Sequence, residues 1–276
     1  MDVVVIGGGG TLGRLVCEEL ARRDHRAVPL GRRDGDLRDP QRIARAAPQV
    51  IINCAGASVA MGLGRGWRGY RAVDVPIGLA AVAAAGQLGA RLVYVGVHHP
   101  PALRATAYVD AHERVAAAMR DIDGVVVRPT GFFSAIAGAY LPMARRGRML
   151  DVGDGHARTN PICERDLAEI VAEVAVGGDG PRELSVGGPE VMTRRAMLET
   201  IGRSVGRTKI TGMPTWLMSA NAMLLRALHP RMGQFLQFVV GLARHDVIAP
   251  AVGTTTLSDY LSRPAVASPP MAMTAR

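Results

Sequence analysis

Lysine is all but absent from this sequence: Lys209 is the only one, and arginine carries nearly all of the positive charge. That bias reads as genomic composition rather than recognition. The net charge of +9 is scattered in pairs, Arg22-Arg23, Arg32-Arg33, Arg145-Arg146 and Arg194-Arg195, without the long run or stripe that follows a phosphate backbone. Aromatic residues, at 4%, are too few for base-stacking platforms. Nucleic acid is therefore not the expected partner. Cysteine is scarce too: Cys17, Cys54 and Cys163 stand far apart with no CxxC or Cys/His spacing, so neither a metal site nor a disulfide framework is expected, and a reducing, cytoplasmic setting is. The uncharged stretches 75–90, 213–225 and 232–243 fall short of about 18 apolar residues, so no transmembrane span is expected. Met1 is followed by acidic Asp2 and a strand-like run rather than by the order of a signal peptide, which argues against secretion.

What is present is a hydrophobic chain, 48% apolar and 21% charged over 276 residues, long enough for one large α/β domain. Residues 2–6 form a continuous apolar run ending in four glycines, the pattern of a buried parallel strand entering a tight turn. Leu12, Leu15, Val16 and Leu20 then recur at helical spacing, and 27–30 restores a strand. The alternation continues with a helix over 40–47, a strand over 50–53, a helix over 70–88, a strand over 91–97, a helix over 105–120 and a strand over 125–128. Such alternation predicts an α/β fold, a Rossmann-type doubly wound parallel sheet. Past Arg128 the rhythm loosens into turns at 153–155 and 177–181, helices over 163–176 and 194–205, and a short strand over 183–186. We therefore expect one NAD(P)-binding domain over 1–261, with substrate and cap elements mainly from 129–261, and a flexible Pro/Ala/Ser-rich tail over 262–276.

The glycines carry the first functional signal. Gly7-Gly8-Gly9-Gly10-Thr11-Leu12-Gly13 fits GxxGxxG between a predicted strand and a predicted helix. Gly7 permits the sharp turn, Gly10 lets a pyrophosphate approach the backbone, and Gly13 allows close helix–strand packing; Thr11 and Leu12 open the helix whose N–H groups face the anion. An NAD-preferring protein places Asp or Glu at the end of the second strand, whereas this one has Arg32 and Arg33. A guanidinium forks onto phosphate, so NADP(H) is the expected cofactor ahead of NAD(H), with Arg32 the first choice. Asp36 and Leu37 are placed to flank the adenine, and Asn53-Cys54-Ala55-Gly56 ends the third strand on the cofactor side; ordinary turn chemistry accounts for these equally well.

With these residues in view, the chain resembles the atypical, or extended, short-chain dehydrogenase/reductase superfamily, in particular its NmrA-like and complex-I-subunit-like branch. The resemblance rests on the glycine turn, on 50–56 and 91–97, on Ala111-His112-Glu113, on Arg128-Pro129-Thr130-Gly131-Phe132-Phe133, and on Asn160-Pro161-Ile162 followed by Asp166-Leu167-Ala168. It implies a Rossmann domain with a small C-terminal substrate region, NADP binding and often carbonyl reduction, although some relatives are redox sensors or accessory subunits. Pro129 and Thr130 join the candidate cofactor set. Reductases of the superfamily use Tyr-x-x-x-Lys, in which tyrosine protonates the developing alkoxide and lysine lowers its pKa and holds the ribose. Here Tyr108 is followed four residues later by His112, on the same helical face, and the place of the catalytic Ser or Thr reads Gly96-Val97. Tyr108 and His112 are the candidate catalytic pair, with His112 on the ribose; His98 and His99 either polarise a carbonyl or are plain loop histidines.

Thr130, Gly131, Phe132, Phe133 and the loop near Asn160 are candidates for a substrate wall, although an aromatic pair of this kind is more often core packing. Asp166 reads as a helix cap or as a charge on the helix dipole. The methionine-rich stretch 216–243 either caps an apolar pocket or meets a partner helix or a membrane surface. The functional expectation is an NADPH-dependent oxidoreductase acting on a small apolar carbonyl or enone. The alternative is a non-catalytic NADP(H)-binding sensor or assembly partner, because the lysine and the Ser/Thr are missing.

Overall fold

The computed structural model describes residues 1–57, 67–178, 180–206 and 208–264. Its centre is a six-stranded sheet in the order β2-β1-β3-β4-β5-β8, formed by β1 (Asp2–Ile6), β2 (Arg26–Leu30), β3 (Val50–Asn53), β4 (Arg91–Val95), β5 (Gly124–Pro129) and β8 (Glu183–Val186). Every pairing is parallel. The strands read as continuous apolar runs because both sheet faces are covered. Val3, Val5, Ile52, Val93 and Val127 pack beneath α1 (Thr11–Arg22) and α6 (Glu164–Val176). Val4, Ile6, Ile51, Leu92 and Val126 pack beneath α2 (Pro40–Ala44), α3 (Tyr70–Leu88) and α4 (Ala107–Ala118). Pro29 lies inside β2, where it is tolerated because β2 is an edge strand.

The remaining elements form a second cluster at one end. They are α5 (Phe133–Arg145), β6 (Arg148–Val152), β7 (Arg158–Thr159), β9 (Met192–Thr193), α7 (Arg194–Val205), β10 (Lys209–Met213), α8 (Thr215–Leu228), α9 (Pro230–Arg244) and α10 (Leu257–Ser262). β6 pairs with β10 in parallel and β7 with β9 antiparallel. Phe133, Leu141, Met149, Met197, Ile201 and Leu257 close a separate apolar core there.

Most predicted elements are found, with differences that have physical reasons. The strand expected over 91–97 stops at Val95, where Gly96 begins the loop. α5 was not foreseen: it contains Gly138 and Pro142, residues that weaken the helical signal. Ser262 closes α10 rather than opening a tail, and 265–276 lie outside the described residues. α3 spans 19 residues and, among the described residues, is the one helix long and apolar enough to cross a membrane. In this fold it packs Ala80, Ala81, Ala84 and Ala85 into the core beside the sheet.

Candidate functional site

The sheet order reverses between β1 and β3, so a crevice opens beyond their carboxyl ends. Gly7 leaves β1 at φ +81°, and a Cβ there would fall 2.8 Å from the Ala55 nitrogen. A Cβ on Gly13 would overlap the Gly7 carbonyl, so the helix starts in direct contact with the turn. Gly10 donates its N–H to Gly7 at 2.8 Å and precedes α1 without any side-chain cap, leaving the first helical turn at Thr11, Leu12 and Gly13 to act through its backbone. Leu12 itself is buried in the core. The arrangement fits a pyrophosphate: a cradle that a side chain would fill, at an uncapped helix N-terminus.

Along the same edge, Asn53 is 1% exposed; its Oδ1 accepts the Ala55 N–H at 2.9 Å while its Nδ2 is buried with no partner among the described residues. Gly56 faces the carboxylate of Asp74. Burial pushes the Cys54 thiol up to about 12, with Cys17 adding to the effect, and the side chain packs into the core. Cys54 is half-buried at the end of β3.

At the end of β2, Arg32 and Arg33 sit on a single exposed turn and, among the described residues, neither makes an ion pair or side-chain hydrogen bond. A cavity of ≈ 230 Å³ here is bordered by Arg32, Gly35, Leu37, Arg68 and Ile77. Arg32 and Arg68 border this recess, and among the described residues neither pairs with a carboxylate, which suits a phosphate monoester. Asp36 is less free than expected, because it takes Arg38 in a fork at 2.8 and 2.7 Å, and that hydrogen bonding holds its carboxyl down at about 2.

The second half of the site lies at the ends of β4 and β5. A cavity of ≈ 220 Å³ is walled by Gly96, Tyr108, Pro129, Thr130 and Phe132, by Ile136 and Met143 of α5, by Leu150 and Val152 of β6, by Met218 of α8, and by Phe235, Phe238 and Val239 of α9. Its surface is overwhelmingly apolar. The Tyr108 ring is packed edge-on between Tyr70 at 5.0 Å and His112 at 4.8 Å, and it meets Phe238 at 4.7 Å. Burial, with smaller effects from Tyr70 and Asp74, raises its phenol pKa, so the hydroxyl stays protonated.

His112 does not occupy the place that the Tyr-x-x-x-Lys pattern suggests. Its Nδ1 is 2.7 Å from the Tyr94 hydroxyl in the core, and burial, helped by the Arg128 charge, pushes its pKa down to about 4. It is a neutral ring turned toward the interior and braced against Tyr108. The physical reason is that an imidazole, shorter than lysine, reaches the nearest buried hydroxyl before it reaches the crevice.

Other candidates are tied into the framework. Thr130 lines the cavity but donates its hydroxyl to the Asn160 carbonyl at 2.6 Å. Asn160 itself is fully buried, its amide bonding Gly188 and Ala249, while its loop neighbours Thr159 and Pro161 line the cavity. Phe133 is core, while Phe132 faces the cavity. His98 bonds Ser185 at 3.1 Å, and His99 is 3.4 Å from Glu113, which also pairs with Arg128. Asp166 receives Thr254 and Thr255, anchoring their loop rather than only capping its helix.

The sequence reading missed Arg68, Tyr70 and Asp74. Asp74 is 3% exposed: one oxygen accepts the Ala57 N–H, the other has no partner among the described residues, and burial pushes its carboxyl up to about 7. The Tyr70 hydroxyl is likewise buried and has no partner among the described residues. The available signal was the paired appearance of Tyr70 and Asp74 at i and i+4 on the largely apolar helix α3.

Residues 3–99 match the NAD dependent epimerase/dehydratase family. A divinyl chlorophyllide a 8-vinyl-reductase of Zea mays, described as chloroplastic, is 31% identical over 82% of this chain and 65% of that protein; its counterpart in Oryza sativa subsp. indica is 29% identical over 82% and 64%. The chain thus spans about 65% of the length of the curated relatives it matches. Among solved structures, a human epimerase family protein with NADPH superposes at TM-score 0.72 with 19% identity, covering 95% of this chain and 98% of that one. An Escherichia coli NADPH-dependent quinone oxidoreductase with NADPH gives 0.71 and 15%, covering 94% and 98%. Glycine turn, parallel sheet and crevice agree with these likenesses: the first 99 residues resemble the NAD dependent epimerase/dehydratase family, and the chain as a whole shares the fold of these solved proteins.

Proposed function

We propose that the chain binds NADP(H) and reduces a small, apolar carbonyl or enone compound held in the cavity beside Tyr108. One observation carries the reading: the apolar cavity shares the sheet's carboxyl edge with the glycine cradle, and Tyr108 stands in its wall. The backbone of the turn around Gly7, Gly10 and Gly13 would hold the pyrophosphate, Arg32 and Arg68 the 2′-phosphate, and Pro129 and Thr130 would border the reacting end. When bound, NADPH supplies a hydride.

The chain's own residues do the rest. Phe235, Phe238 and Val239 exclude water and select apolar substrates. Tyr108 donates a proton to the oxygen on which negative charge develops. Its high pKa favours reduction, which starts from a neutral phenol, over oxidation, which needs the phenolate. His112, held by Tyr94, positions the ring of Tyr108 rather than the ribose.

The neutral, buried His112 also supports a second reading, a nucleotide-binding sensor, because a neutral ring stands in the lysine's place in the pattern. NADPH consumption with panels of apolar ketones, aldehydes and enones separates the two. Under the reductase reading, Tyr108→Phe lowers kcat by about 100-fold while NADPH affinity stays within about twofold. Unchanged turnover in that variant removes Tyr108 from the chemistry. Absence of turnover across the panels, with an NADPH-dependent protein partner, favours the sensor.

A further inference from the structure

α8 presents an apolar stripe to solvent. Trp216 is 68% exposed, Met223 73%, Leu224 65% and Leu228 64%, with Ala220 and Ala227 on the same side. At 100° per residue these positions fall within roughly a third of the helix circumference. The opposite side is already used: Ala222 is fully buried, and Gly233 of α9 lies so close that a Cβ would overlap the backbone of Arg226. The exposed stripe is therefore not the core-facing side of an ordinary surface helix, and nothing among the described residues covers it. Trp67, 61% exposed, adds a second aromatic at the end of the hairpin, with its ring 6.3 Å from His229.

Charge identifies what covers the stripe. No Asp or Glu occurs between Glu199 and Asp246, whereas Arg203, Lys209, Arg226, Arg231 and Arg244 all fall in that interval. Arg226 is exposed on the flank of the stripe itself. Like charges beside the stripe, on a chain of net charge +9, oppose pairing with a second copy. We propose that α8 docks the protein on an anionic lipid bilayer, with its apolar stripe in the headgroup and acyl boundary and neighbouring arginines at the lipid phosphates. At 14 residues the helix is too short to span the bilayer and lies along its surface. This docking is independent of the proposed reductase chemistry.

Flotation of the intact protein with phosphatidylcholine vesicles, and with vesicles that also contain phosphatidylglycerol, tests it. Binding is expected on the anionic vesicles, at least about tenfold weaker on the neutral ones, and weakened by high salt. The double variant Leu224→Gln/Leu228→Gln is expected to lose binding by about tenfold with Tm and NADPH affinity unchanged. In a Trp67→Phe background, Trp216 is the remaining tryptophan, and its emission is expected to shift blue on binding. Failure to bind either vesicle overturns the proposal, as does binding that the double variant retains. A dimer in light scattering that the double variant abolishes, without vesicle binding, assigns the stripe to a second copy instead.

Discussion

Asp74 shows what a single residue can hide from the sequence. Its carboxylate lies among apolar and aromatic groups because α3 enters the sheet edge beside the Asn53 loop, a neighbourhood that no local pattern announces. Tyr108, by contrast, was picked out by its resemblance to Tyr-x-x-x-Lys, and its shared helical face with His112 follows from the i, i+4 interval without tertiary information. What the spacing did not give was the direction of His112, which was decided by Tyr94 on a strand 18 residues away in sequence. Asp74 makes a pH prediction. Its folded pKa, about 7, lies above the ordinary carboxylate value of about 3.9. Between these values the native state binds more protons than the unfolded chain, so this group's contribution to stability falls as pH rises from about 4 to about 7 and levels off above. The full shift corresponds to an upper limit of about 4 kcal/mol. Urea unfolding at pH 5.5 and pH 8 is expected to show that Asp74→Asn, which retains an acceptor for the Ala57 N–H, flattens the decline. An identical pH slope in variant and parent rules the carboxyl out as its source.

Among the elements, the β1–α1 unit was the most readable and the C-terminal cluster the least. Strand, glycines and helix in the first unit are adjacent in sequence, and each glycine answers a local demand. β6 and β10 are short strands paired across about sixty residues, and β7 and β9 are shorter still, so their ladders leave little local pattern. The glycines nonetheless differ in what they can tolerate. Gly13 has no room for a Cβ against the Gly7 carbonyl, whereas a Cβ on Gly9 meets nothing within 4 Å. Gly13→Ala is therefore expected to push α1 off the turn, costing about 1–3 kcal/mol of stability and weakening NADPH binding by about tenfold or more. Gly9→Ala is expected to leave Tm nearly unchanged. Thermal melts with NADPH titrations compare the two, and equal losses in both variants contradict the packing argument.

At the scale of the whole molecule, the sheet's carboxyl edge must hold three parts in register: the glycine cradle, the arginine recess and the apolar cavity. The parallel sheet fixes the first two, but the cavity depends on segments that arrive late in the chain. Asn160 binds them together. Its side chain bonds Gly188 and both the N–H and carbonyl of Ala249, 28 and 89 residues away, while its own carbonyl accepts the Thr130 hydroxyl at the cavity wall. A fully buried amide with every bond made is worth more than its surface appearance in the sequence as Asn-Pro-Ile suggests, because removing it strands several buried backbone groups. Asn160→Ala is expected to cost about 2–4 kcal/mol and to loosen the loop at Ala249 and the end of β5 together. Hydrogen exchange reads this directly: protection is expected to fall at Gly188, Ala249 and Thr130 while the amides of β1 and β3 keep their order of protection. If only the amides nearest residue 160 lose protection, the cavity wall is held by other contacts and Asn160 is a local loop fastening.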